Sequence, residues 1–179
     1  MAIAMGSFLN RFAGLSALFA AAVYAQDFNI STQYHEGGQL FNSRVWYGDG
    51  NLYVGAKVPA SVQTAFNVTI PNVLANLLYI APVESGVQLP EGTFLTVNNA
   101  TDAKDPVLAT HDASALGPEY TLNWVRWGTL LLPHDGTFKL DFNFYLGETD
   151  EPGTSVVRWS NAGTDVEGRR VNLTATVTR

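Results

Sequence analysis

"TFKLDFNFYLGE", residues 137–148, decides the fold. Phe138, Leu140, Phe142, Phe144 and Leu146 fall at every second position, with Lys139, Asp141, Asn143 and Tyr145 between them. A repeat of two belongs to a β-strand, whose successive side chains point to opposite faces. The apolar set predicts one face packed on another sheet, and the polar set a face in water. The flanks agree. "PHDG" (133–136) and "ETDEPG" (148–153) carry the Pro, Asp and Gly of chain reversals. Further out, "YTLNWVRWGTLLL" (120–132) reads as a long strand or a bent pair with a bulge at Gly128. "TSVVRWS" (154–160) and "RRVNLTATVTR" (169–179) read as two more strands. Four strands joined by short loops predict a C-terminal meander.

The N-terminal half follows the same rule. "SRVWYGDGNLYVGAKV" (43–58) predicts a hairpin around Gly48–Asn51. "TAFNVTI" (64–70), "LLYIAP" (77–82) and "TFLTVNN" (93–99) predict further strands, and 99–119 a polar loop region. Heptads, long 3.6-residue periodicity and internal repeats are absent from the sequence. The expected fold is all-β: a single-domain antiparallel β-sandwich of about eight or nine strands, two sheets with one dry face each. It spans residues 41–179, after an extended lead-in or first edge strand at 26–40. A closed barrel is the alternative.

The 179 residues suffice for one domain, with 46% hydrophobic, 12% aromatic and only 15% charged. The net charge of −6 repels phosphate backbones and anionic lipid headgroups, which argues against nucleic acid and polybasic membrane docking. With no cysteine, thiol catalysis, disulfides and thiolate metal sites are excluded. Stability must come from core burial.

Residues 1–25 read as a secretory signal peptide. Arg11 is the only charge, Phe12 to Val23 is a nearly unbroken apolar run, and Val23-Tyr24-Ala25 suits cleavage after Ala25, with cleavage after Ala22 the runner-up. The run is shorter than the roughly 20 residues a membrane span needs. The C-terminal "VNLTATVTR" lacks the apolar tail of a lipid-anchor signal, so no membrane anchor is expected. Four sequons, at Asn29, Asn67, Asn99 and Asn172, fit export and are the expected glycosylation sites. Alternation puts Asn67 opposite Phe66, Val68 and Ile70. It likewise puts Asn172 and Thr174 opposite Val171, Leu173 and Ala175, on the wet side.

Candidate chemistry is sparse. His35, His111 and His134 each precede an acid, but neighbours on a strand point apart, so they read as turn and surface residues rather than metal ligands. Gln26 at the mature terminus argues against copper oxygenases that use an N-terminal histidine. Paired carboxylates could hydrolyse a glycosidic bond, with Asp141, Glu148, Asp150 and Glu151 as candidates. "ETDEPG" is also a loose oxygen-rich loop, without the spacing of a defined calcium site. A Gly-X-Ser-X-Gly elbow is missing, and "GDGNLYVG" precedes no predicted helix. The aromatics are the most suggestive set: Trp46, Tyr47, Trp124, Trp127 and Trp159 are the candidate ligand-binding residues, because an aromatic exposed on a sheet stacks against sugar rings. Trp124 and Trp127 have opposite parity, so one of them should face out. Core filling is the competing use.

"WGTLLLPHDGTFKLDFNFYLGETDEPGTSVVRWSNAGTDVEGRRVNLTAT" (127–176) resembles the C-terminal segment of small, cysteine-free, uncharacterised secreted proteins of filamentous fungi, and "VWYGDGNLYVG" is similar to their earlier aromatic-Gly-Asp-Gly hairpin. The resemblance implies a fungal extracellular protein and brings no catalytic residues with it. The expectation is a secreted, non-catalytic protein outside the cell or in its wall. Cell-wall polysaccharide or an extracellular protein is the expected partner, without cofactor or metal. A carbohydrate-active hydrolase and a secreted effector are the alternatives.

Overall fold

The computed structural model describes residues 26–71, 76–134, 142–161 and 166–178. In chain order the strands are β1 (Phe28–Glu36), β2 (Gln39–Gly48), β3 (Asn51–Val54), β4 (Ala65–Ile70), β5 (Leu78–Tyr79), β6 (Ala81–Pro82) and β7 (Phe94–Asn98). They continue with β8 (Leu108–Thr110), β9 (Tyr120–Thr121), β10 (Trp124–Trp127), β11 (Leu130–Pro133), β12 (Phe144–Glu148), β13 (Ser155–Trp159) and β14 (Arg169–Val177). The structure is all-β with antiparallel pairing; one 3-10 turn, Ala113–Ala115, is the helical element among the described residues.

Seven strands pair in a closed ring. β1 meets β4 at Phe28↔Ile70, β4 meets β2 at Phe66↔Tyr47, and β2 meets β3 at Trp46↔Tyr53. β3 meets β13 at Val54↔Ser155, β13 meets β12 at Val157↔Leu146, and β12 meets β14 at Phe144↔Val171. β14 returns to β1 at Ala175↔Ile30. β4 enters because β1 and β2 diverge: they pair from Glu36↔Gln39 to Ser31↔Arg44, then part and leave a gap that β4 fills. Ile30, Val45, Leu52, Val68, Val157, Leu173 and Ala175 are buried in the core. Burying one such aliphatic side chain stabilises by roughly 1.5–3 kcal/mol.

The remaining strands extend the ring. β8 joins β3 at Asn51↔Leu108 and carries β7, which pairs with β5 and β9 in turn. The β10–β11 hairpin attaches to β14 at Leu130↔Thr174, and β6 attaches to β4.

The expected two-sheet sandwich is thus corrected to a closed barrel. A ring satisfies both edges of each pleated layer, whereas a sandwich leaves them open. Residues 26–40 are no lead-in: β1 is paired on both sides, with β14 and with β2 and β4. The C-terminal meander also gives way. β12 and β13 form a hairpin, but β14 pairs with β12 rather than β13, because its other edge must meet β1 to close the ring. Of the two readings of 120–132 the bent pair holds. Gly128 is a turn residue with φ +63° between Trp127 and Leu130, which pair, and is not a bulge. The hairpin at 43–58 turns on Asp49 and Gly50, both at positive φ.

Within the stretch that opened the reading, Phe138, Leu140 and Asp141 lie outside the described residues. Phe144 is buried and Leu146 packs against the core, as the alternation requires. Phe142 does not follow it and is 40% exposed, since it precedes the first paired residue of β12.

Candidate functional site

Tyr145 has the polar-side parity of β12, and the register puts Arg158 opposite it on β13 and Arg170 opposite it on β14. Three residues of one face therefore lie in a row across three strands. Tyr145 is nonetheless buried, because residues 103–107 run along the free side of β13. Asn161 N donates to Ala103 O at 3.0 Å, Trp159 N to Asp105 O at 2.9 Å, and Val107 N to Val157 O at 2.9 Å. The Lys104 carbonyl accepts from the Tyr145 hydroxyl at 3.2 Å and from an Arg158 guanidinium N–H at 3.1 Å.

Beside this strap lies a cleft of about 540 Å³ lined by Lys104, Tyr145, Gly147, Glu148, Arg158 and Glu167, with Gly168 at its edge. Gly147 sits across from Val156, and a Cβ there would overlap the Arg158 Nε, so the missing side chain lets Arg158 lie flat over the strand. Burial raises the Tyr145 phenol above its ordinary value; the Asp105 charge adds to this, and Arg158 offsets only part of it. Tyr145 is thus a neutral hydrogen-bonding group at neutral pH. The cleft brings cations and carboxylates together, with the buried Tyr145 in its wall.

A smaller opening of about 270 Å³ is lined by Trp46, Lys57, Asn67 and Glu84 among others. Burial pushes the Glu84 carboxyl up, but hydrogen bonds from the Asn67 side chain (2.6 Å) and backbone N–H (3.1 Å) outweigh it and leave the acid below its ordinary value.

The five aromatic candidates separate by burial. Trp46, Trp124 and Trp159 are core residues, and each indole N–H has an acceptor: Gly55 O at 3.1 Å, Leu95 O at 2.8 Å and Asn99 Oδ1 at 3.0 Å. Trp46 stacks on Tyr53 and half-buried Tyr47 on Phe66, with centroids 4.7 and 4.8 Å apart. Trp127 alone of the five stands in solvent, 61% exposed, which matches the opposite parity of Trp124 and Trp127. None of the five lines the larger cleft.

Among the acid candidates, Glu148 lines that cleft together with Glu167, which the sequence reading passed over. Asp141 lies outside the described residues. Glu151 is paired with Lys57 at 2.9 Å, and the Thr149 hydroxyl donates within the same turn, to Thr154 O at 2.8 Å, so "ETDEPG" is held by protein partners. His35, His111 and His134 lie on β1, after β8 and after β11. Among the described residues, no group of three or more His, Asp or Glu is placed to hold a metal ion, and no helix is long and apolar enough to cross a membrane.

The sequon asparagines occupy four environments. Asn172 is exposed, but its Thr174 is fully buried, flanked in the sheet by Ser31 of β1 and Leu130 of β11, with its hydroxyl donating to Ser31 O at 3.1 Å. That corrects the expectation that both lie in water. Asn29 Oδ1 accepts from Arg44, Asn67 donates to Glu84, and Asn99 donates to the Thr121 hydroxyl while accepting from Trp159.

No family model, curated protein or solved structure matches the chain.

Proposed function

We propose that this is a secreted, non-catalytic protein of the cell wall or cell exterior that binds a glycan in the cleft over β12 and β13. The observation that carries the reading is the lining: Lys104, Arg158, Glu148 and Glu167 surround Tyr145 in one open, polar depression. Sugars are bound by charged hydrogen-bonding groups that converge in such a depression. The signal-peptide pattern of residues 1–25 and the four sequons support export. The likeness of 127–176 to secreted fungal proteins supports an extracellular setting.

The test is retention on a panel of insoluble cell-wall polysaccharides. The expected result is retention of the wild type, loss of it in Arg158→Ala, and no release of reducing ends. Failure of every polysaccharide to retain the protein overturns glycan binding.

One observation favours a second reading: Glu148 and Glu167 line the same cleft, as the two acids of a glycoside hydrolase must. Reducing-end release abolished separately by Glu148→Gln and Glu167→Gln would establish hydrolysis in place of binding.

A further inference from the structure

Beyond Arg44, β2 leaves the ring and runs with β1 alone. Gln39 to Arg44 pair with β1 on one edge, and among the described residues no strand pairs with the other. That edge is free of the usual guards against strand addition. Residues 39–43, "QLFNS", contain no charge, no proline and no bulge. Leu40 is 56% exposed on one face and Phe41 37% exposed on the other. Phe41 is also held in position. It stacks on Tyr34 at 5.0 Å with rings only 8° from parallel, and Arg169 covers Tyr34 at 4.5 Å while bonding to Glu36 at 3.0 Å.

We propose that a second copy of this chain pairs with this edge, β2 antiparallel to β2 about a two-fold axis at Phe41. The preformed Tyr34–Phe41 stack selects a second copy running in that direction. Residues opposite each other across an antiparallel pair share a face, so Phe41 meets its symmetry mate and the stack becomes a row of Tyr34, Phe41, Phe41 and Tyr34 from the two copies. At the ends of the segment, Arg44 bonds to Asn29 Oδ1 at 3.1 Å and Glu36 is already paired with Arg169 at 3.0 Å. The two-fold contact is self-limiting, because the same edge of each copy is used up in making it. It is also small, which makes the dimer weak and concentration-dependent.

Sedimentation velocity of the mature protein from micromolar to millimolar concentration tests this, with hydrogen exchange at the two extremes. A monomer–dimer equilibrium is expected, with amides in 39–43 protected only at high concentration. Phe41→Lys and Gln39→Lys, both at exposed positions, should each weaken it by about tenfold or more with an unchanged circular-dichroism spectrum. A monomer throughout overturns the proposal. So does a dimer that neither lysine weakens, or one that forms without protection of 39–43.

Discussion

The Asn99 side chain holds Trp159 in place: its Oδ1 accepts the indole N–H at 3.0 Å while its amide donates to the Thr121 hydroxyl. Trp159 is 2% exposed and packs edge-on against Phe144 with centroids 5.0 Å apart. A residue that reads as a glycan acceptor is here a structural bridge between β7, β9 and β13. Asn99→Ala should therefore cost about 1–3 kcal/mol, the penalty of leaving a buried donor without its acceptor. Urea unfolding followed by tryptophan fluorescence measures it.

The same contacts sort the sequons. Protein secreted from a eukaryotic host should carry glycan at Asn172, which is exposed, and none at Asn99, whose amide nitrogen is already bonded in the fold. Glycopeptide mass spectrometry reads both sites. A folded, fully occupied Asn99 would contradict the bridge.

The tryptophans should separate sharply in stability. Trp159→Ala removes a buried ring and should cost about 3–5 kcal/mol. Trp127→Ala removes a solvent-exposed ring and should stay within about 0.5 kcal/mol. Paired denaturation curves decide it.

Two glycines make a matched pair. Gly92 and Gly168 both have positive φ, +76° and +112°, but Gly92 faces open space while a Cβ on Gly168 would overlap the Leu146 carbonyl oxygen. Gly92→Ala should cost about 1–2 kcal/mol for backbone strain alone. Gly168→Ala should cost clearly more, since backbone of β12 must also move. Equal costs would mean that the loop before β14 relaxes freely.

Tyr145 gives a pH dependence. Its phenol is raised in the folded protein, so the folded state holds that proton more tightly than the unfolded chain. Its contribution is present below the ordinary tyrosine range, near pH 10. It is lost as pH rises through the higher folded value, so stability falls there. Tyr145→Phe should flatten the alkaline limb of the stability curve while lowering stability at pH 7 through the lost bond to Lys104 O. Melting temperatures from pH 7 to pH 11 show both effects.

Alternation was a sound guide wherever a strand had one wet face. It placed Phe144, Val171, Leu173 and Ala175 in the core, the turn at Asp49-Gly50, and one of Trp124 and Trp127 in solvent. It misplaced Tyr145, whose hydroxyl is met by the strap at 103–107, and Thr174, which is buried with β1 and β11 on its two flanks. Such surroundings depend on contacts distant in sequence, and period two carries no trace of them. Ring closure was hidden for the same reason: a sandwich and a barrel share one local pattern and differ in which edges meet. Of the cleft, Glu148 was legible as an acid in a turn and Tyr145 as an outward position. The juxtaposition with Lys104, Arg158 and Glu167 was not, because it comes from strand register at Arg158 and from segments outside the strands at Lys104 and Glu167.

The seam between β1 and β14 has a consequence for how the protein is made. Phe28 pairs with Val177, and the Thr174 hydroxyl reaches Ser31 O across 143 positions. Until β14 leaves the ribosome, β1 lacks the neighbour on one of its flanks. The nascent polypeptide therefore carries an unpaired β1 edge until then, and closing it joins segments remote in sequence, a class of contact that forms slowly. Removing β14 would leave the ring open between β12 and β1.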